Sequence, residues 1–325
     1  VTDRQAIERY LVEEFYDDYR EGLISRRTLI RRIAYIAGGM AAAVPMLAAV
    51  GCSPEELPAP TDPIPEPDTA EPPTQAAEAS PTVSNEPQSP LSVAEGDPAV
   101  VTSRITFPSD DAEISAYLAL PAGDGPHPAM LVCHENRGLN PHIEDVARRF
   151  AKAGYVAIAL DLLSREDGTA AFDRDEVPGL LNDAGPERHV ADFAAGFAHL
   201  QGMPEVDPTR IGMNGYCFGG GITWRCATAI ADLKAAVPFY GPAPDLAAVP
   251  DIKAAVFGVY AELDERVNAS KDELDQALTD AGITHQMTVY PGVNHAFHND
   301  TGERYDETQA LAAWNDMLAW LEEYV

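Results

Sequence analysis

Arg210-Ile211-Gly212-Met213-Asn214, running directly into Gly215-Tyr216-Cys217-Phe218-Gly219-Gly220, is the stretch that decides the fold. Its first half is a short apolar run that reads as a buried strand. The segment Ile222 to Ala231 beyond it has helical character. Strand, sharp Gly-x-Cys-x-Gly turn and helix together form a nucleophile elbow. The turn lifts one side chain above the sheet, and Gly215 and Gly219 let neighbouring backbone approach where a Cβ would clash. The lifted residue here is Cys217. A helix N-terminus beneath it favours the thiolate. Such a nucleophile needs a base and an acid elsewhere in the chain.

Outward from the elbow, strand-like and helix-like segments alternate from about Ala99 to Val325. Val100 to Phe107 and Ala112 to Leu120 alternate polar and apolar residues, as an antiparallel opening hairpin with one exposed face would. Ala129 to Cys133 and Tyr155 to Leu160 are continuous apolar runs of strands buried on both faces. Ile143 to Ala153 reads as a helix closed by Gly154, and Leu163 to Gly185 as a polar surface excursion. Further helices are expected over Pro186 to Leu200, Val267 to Ala281 and Glu307 to Tyr324. Further strands are expected over Lys234 to Tyr240, Ala254 to Tyr260 and Thr284 to Tyr290. This pattern predicts an α/β-hydrolase fold: one domain, 99–325, with a mostly parallel central sheet covered by helices on both faces.

In that fold the nucleophile, acid and base follow one another in the chain, each just past a strand end. Asp264 follows the strand ending at Tyr260, with Glu262 and Glu265 as rival acids. His295 follows the last strand, within Pro291-Gly292-Val293-Asn294-His295-Ala296-Phe297. His295 would take the thiol proton and later protonate the leaving group, while Asp264 holds the imidazole tautomer. The Phe218 N–H, with a second N–H from the loop after Cys133, would form the oxyanion hole. Tyr240 and Trp224 are candidates for the pocket or for the core. His295 and His298 do not make a metal motif, since no His-Glu-x-x-His helix and no cysteine set with ligand spacing accompanies them. No metal or cofactor is expected. Cys133 and Cys226 read as packing residues.

These segments resemble the dienelactone hydrolase (carboxymethylenebutenolidase) family over the whole domain from about residue 99. The Gly-Tyr-Cys-Phe-Gly-Gly elbow, the acid at Asp264 and the Gly-Val-Asn-His-Ala-Phe segment carry the likeness. The resemblance implies a hydrolase of small esters or lactones that passes through an acyl-enzyme. It also implies that Glu135, in Cys133-His134-Glu135-Asn136-Arg137-Gly138, is the glutamate that meets the resting cysteine, and that the Asn136 N–H is the second oxyanion donor. The family's lactonases grip a substrate carboxylate with an arginine four residues past the histidine. Asn299 stands there in this chain, which leaves Arg137 as a carboxylate contact and His298 as a further substrate neighbour. Alternatives of other classes are an inactive binding module on the same shell and an acyltransferase.

The first hundred residues are of another kind. Arg4 to Arg20 has apolar residues at helical spacing with acidic residues between them. Arg26-Arg27 and Arg31-Arg32 then precede an uncharged, Ala-rich run from Ile33 to Gly51 that ends at Cys52. Residues 1–52 therefore read as a twin-arginine export leader whose end resembles a lipoprotein box, with Cys52 the lipidated residue. An uncleaved transmembrane helix is the alternative, since about 19 apolar residues just span a bilayer. Residues 53–98 are rich in Pro and carboxylates and hold no Lys or Arg, the composition of an extended, self-repelling tether. The expected location is outside the cytoplasm, held to the membrane through the N-terminus alone. A formal net charge of −30 leaves no basic surface for nucleic acid. Four cysteines without paired spacing argue against a disulfide framework.

Overall fold

A computed structural model describes residues 3–39, 42–43, 45–46 and 88–325. Two helices come first, α1 (Asp3–Arg20) and α2 (Arg26–Ile36). Ser25 caps α2 by accepting from the Thr28 N–H, which satisfies one of the donors a helix start leaves open. The buried face of α1 carries Ile7, Tyr10, Leu11, Glu14, Phe15 and Asp18, a stripe at i, i+3, i+4 and i+7 spacing. The stripe rests on the α/β domain that follows. Leu11 and Phe15 are fully buried, and each contributes about 1.5–3 kcal/mol to that docking.

The domain itself opens with the antiparallel pair β1 (Val100–Ser109) and β2 (Ala112–Pro121). The chain continues through β3 (His127–Cys133), α3 (Pro141–Lys152), β4 (Val156–Leu160), α4 (Val177–Ala184) and α5 (Pro186–Gln201). It ends with β5 (Val206–Tyr216), α6 (Phe218–Ala229), β6 (Ala235–Phe239), β7 (Ala255–Ala261), α7 (Glu265–Asn268), α8 (Lys271–Asp280), β8 (His285–Tyr290) and α9 (Glu307–Tyr324). One eight-stranded sheet has the order β1-β2-β4-β3-β5-β6-β7-β8. β2 runs antiparallel to both neighbours, and every pair from β4 to β8 is parallel. β4, β6 and β7 are buried along their whole length, as their uninterrupted apolar sequences require of strands covered on both faces.

The chain leaves β3 toward β4 on one side and returns to β5 on the other. The crevice beyond the carboxyl ends of β3 and β5 is therefore the topological switch point, where open α/β sheets hold their ligands. Cys133 and Gly215 are register partners at those two ends, which places the loop 134–140 beside the elbow.

The helix expected over Val267 to Ala281 is two. Asp264 caps a first short turn by accepting from the Val267 N–H, and a second helix starts at Lys271. The long connection 163–185 carries α4, and α2 lies across it where Gly179 admits the backbone of Tyr35. Among the described residues, no helix is long and apolar enough to cross a membrane. Cys52 and most of the residues read as a tether lie outside the described residues. Just beyond them, Ser89 and Ser92 donate to Asp300, and the Val93 N–H donates to Asp145, fastening the chain to the domain ahead of β1.

Candidate active site

Cys217 sits at the turn between β5 and α6 with φ +58° and ψ −121°, a conformation that costs a residue with a Cβ on the order of 1–3 kcal/mol. The surroundings hold it there. The Cys217 N–H donates to the Phe239 carbonyl at 3.0 Å. A Cβ at Gly215 would collide with the Gly219 carbonyl, and one at Gly219 with the carbonyls of Cys133 and His134. The two glycines are thus required for β5, the β3 loop and α6 to converge under the sulfur. Cys133, Cys217 and Cys226 are all free and buried among the described residues.

Asp264 and His295 come together as their positions past β7 and β8 predict. His295 Nδ1 and Asp264 Oδ2 are 2.6 Å apart, and both side chains are buried. Burial pushes the Asp264 carboxyl up. The charge and hydrogen bond of His295, with Arg266 and the Val267 N–H, more than offset this and hold it below the ordinary range. The partnership leaves Nε2 of His295 facing the elbow. Glu262 is occupied elsewhere, accepting from the Gly292 N–H at 2.7 Å, and Glu265 is exposed. Tyr240 is fully buried with its ring 4.9 Å from the His295 ring, so it backs the imidazole.

The sulfur, however, meets residues of α1. Glu14 places its carboxylate oxygens 3.3 and 3.5 Å from Cys217 Sγ, and Oε1 also accepts from Asn136 Nδ2 at 2.6 Å. The Tyr10 hydroxyl lies 3.5 Å from Sγ and 3.4 Å from His295 Nε2, standing between the two. Glu135 is not the carboxylate on the sulfur. It accepts from Asn299 Nδ2 at 2.7 Å, so the asparagine found where an arginine was expected holds Glu135 to one side. Burial pushes the Cys217 thiol well up, and the charges of Glu14 and Glu135 push it further. The Tyr10 hydroxyl and the Phe218 N–H pull the other way without prevailing. With α1 in place the surroundings favour the thiol, against the thiolate that the helix N-terminus alone favours. Burial, Cys217 and Glu14 likewise push the Tyr10 phenol up.

Beside the sulfur is a cavity of about 310 Å³, lined by Glu14, Glu135, Asn136, Arg137, Arg174, His295 and Asn299 among others. The Arg137 guanidinium lies 5.4 Å over the Phe15 ring, and its Nη1 has no hydrogen-bond partner. Burial, then the neighbouring Arg174, lowers its pKa. His298 does not reach this cavity. It is fully buried, stacked 5.2 Å from the Tyr216 ring and 6.0 Å from Trp314, so its place is the core. Trp224 is buried on α6. Glu14, Cys217 and His295 each bring one ligand atom within 4.8 Å of the others, a donor set that zinc accepts; Asn136 and Tyr10 already engage the same atoms. The residues that sequence reasoning missed are Tyr10 and Glu14. Their signal was an aromatic and a carboxylate at i, i+4 spacing on the apolar face of Arg4 to Arg20.

An elbow cysteine at the switch point, with a carboxylate-held histidine across from it, defines the α/β-hydrolase class. Residues 114–325 match the model of the dienelactone hydrolase family. A Methylorubrum extorquens protein assigned as a carboxymethylenebutenolidase is 33% identical over 241 residues, 69% of this chain and 82% of that one. One from Escherichia coli O157:H7 is 34% identical over 267 residues, 77% of this chain and 94% of its own. The crystal structure of a Klebsiella pneumoniae protein assigned as a dienelactone hydrolase superposes with a TM-score of 0.65 at 31% identity, covering 70% of this chain and all of that one. The chain belongs to the dienelactone hydrolase family.

Proposed function

We propose that the protein hydrolyses carboxylic esters or lactones through Cys217, His295 and Asp264 and a covalent acyl-enzyme. The observation that carries this reading is the 2.6 Å bond from His295 to Asp264, which leaves Nε2 turned toward the elbow cysteine. His295 accepts the Cys217 proton as sulfur attacks the substrate carbonyl, and the developing oxyanion is met by the N–H groups of Phe218 and Asn136. Collapse expels the alkoxide, which takes the proton from His295. Water, deprotonated by the same histidine, then attacks the thioester and releases the acid. Asp264 keeps the proton on Nδ1 throughout. The unpartnered Arg137 nitrogen beside the cavity, with Arg174 near it, supports substrates that carry an anionic group. The N-terminal leader, with Arg26-Arg27 and Cys52, supports an exported, membrane-tethered enzyme. Cys217→Ala should abolish turnover of 4-nitrophenyl acetate with an unchanged melting temperature. A folded variant that keeps full activity would refute the mechanism.

A further inference from the structure

The helix α1 brings an acid and an alcohol to the reacting atoms. The Glu14 carboxylate touches both Cys217 Sγ and the Asn136 side chain. The Tyr10 hydroxyl stands between Sγ and His295 Nε2. On the hydrolytic reading given above, both groups occupy space at the sulfur and the imidazole that an incoming acyl group needs. With both in place Cys217 is 2% exposed, which obstructs the approach of a substrate carbonyl to the sulfur.

Contacts away from the reacting atoms fix the helix. Asp3 pairs with Arg225 through bonds of 2.5 and 2.8 Å, and Arg4 pairs with Asp183 at 2.9 Å. The Arg266 guanidinium covers the Tyr10 ring at 4.2 Å, and Arg304 holds Asp18 at 2.9 Å. Through α2, Arg32 bonds Asp175 at 2.7 Å, and Arg31 pairs with the same carboxylate. The acidic face of α1 thus meets arginines of the catalytic domain, while Leu11 and Phe15 bury the apolar face. Both ionic and apolar complementarity are present, as in a built interface rather than a chance contact.

We propose that the catalytic cleft is a binding site for the chain's own N-terminal helix pair, residues 3–36, and that the docked pair keeps the enzyme latent. The occupant is an acidic amphipathic helix presenting a carboxylate and a phenol four residues apart. Turnover requires its withdrawal. Because the withdrawing segment is also the one read as an export leader, capture or removal of that leader would open the site in the same event.

The test uses the full-length chain carrying Asp3→Arg and Asp175→Arg, which break the two ends of the interface without touching Cys217 or His295. Two rates are read: iodoacetamide alkylation of the Cys217 peptide, and kcat/KM for 4-nitrophenyl acetate. Both should rise at least tenfold, and a synthetic peptide of residues 3–36 should reverse the rise. The same peptide with Tyr10→Ala and Glu14→Ala should reverse it less. If the double variant melts early, Arg225→Glu provides a second route to the same readout. Unchanged alkylation in a folded variant overturns the inference, as does faster alkylation with slower turnover, which would make α1 a working part of the site. Faster alkylation with no ester turnover in either protein would leave the docking standing and remove the hydrolytic reading.

Discussion

Replacing Asp264 by Asn tests the His295 geometry without altering its shape. The carboxylate accepts from two directions: His295 Nδ1 at 2.6 Å on Oδ2, and the Val267 N–H at 3.2 Å on Oδ1. An asparagine has one oxygen for these two donors. If its oxygen stays with Val267, the amide NH₂ faces Nδ1 and drives the proton to Nε2, which can then no longer accept from the thiol. If the amide flips to serve the imidazole, two N–H groups face each other at the cap of α7. Either way the base is lost or misheld. The same exchange in serine enzymes of this logic removes about 10⁴ in kcat, so a loss of 10³–10⁴, or about 4–5.5 kcal/mol, is expected here. The assay is kcat/KM for 4-nitrophenyl acetate against pH, in one N-terminal background throughout. Glu262→Gln and Glu265→Gln, the rival carboxylates, should stay within about twofold. An Asp264→Asn protein within about fivefold of its parent would refute the assignment, and a large loss in Glu262→Gln would move the acid there.

Two further outcomes follow from the charges. Because burial, Glu14 and Glu135 raise the Cys217 thiol in the docked state, the docked state is favoured while the thiol is protonated and is weakened as pH rises through its docked pKa. Glu14→Gln should therefore move the pH midpoint of Cys217 alkylation downward; a midpoint that stays or rises contradicts this. Asp300 accepts from Arg149, Ser89 and His142. Burial pushes its carboxyl up, but these partners hold it far below the ordinary range. Its contribution is present above the unfolded pKa and lost as pH falls through the folded one. Asp300→Asn leaves Arg149 with Asp145 alone and should cost about 3 kcal/mol, lowering the melting temperature by roughly 6–12 °C in a domain of this size. A shift under about 2 °C would show that the cluster is not holding the structure.

Much of the domain could be read in the chain because its cause is local. The buried strands β3, β4 and β7 are continuous apolar runs, the opening hairpin alternates, and the elbow needs its glycines within five residues. Asp264 and His295 were placed by chain order alone, since each follows a strand end of the same sheet. What was hidden depends on contacts across the chain. The start of α7 is set by the Asp264 side chain, which serves that helix cap as well as His295, and the chain breaks at Ala269 and Ser270 before α8. Asn299 reads as a missing arginine until its bond to Glu135 is seen. The docking of α1 was the least legible feature. Its amphipathic stripe says that some surface is buried against it, yet the partner lies some two hundred residues away, and the arginines that follow read first as an export signal.

The acyl-enzyme itself is the most direct test. Protein carrying Asp3→Arg and Asp175→Arg, which frees the cleft, mixed with 4-nitrophenyl acetate, quenched in acid within the first turnover and digested, should yield the Cys217 peptide with one added acetyl group. The adduct should accumulate in His295→Ala if acylation is forced at alkaline pH, because deacylation lacks its base. It should be absent from Cys217→Ala, which should also be inactive. Steady turnover without acetyl on Cys217, or an acetyl group on another residue that survives in Cys217→Ala, would contradict the account.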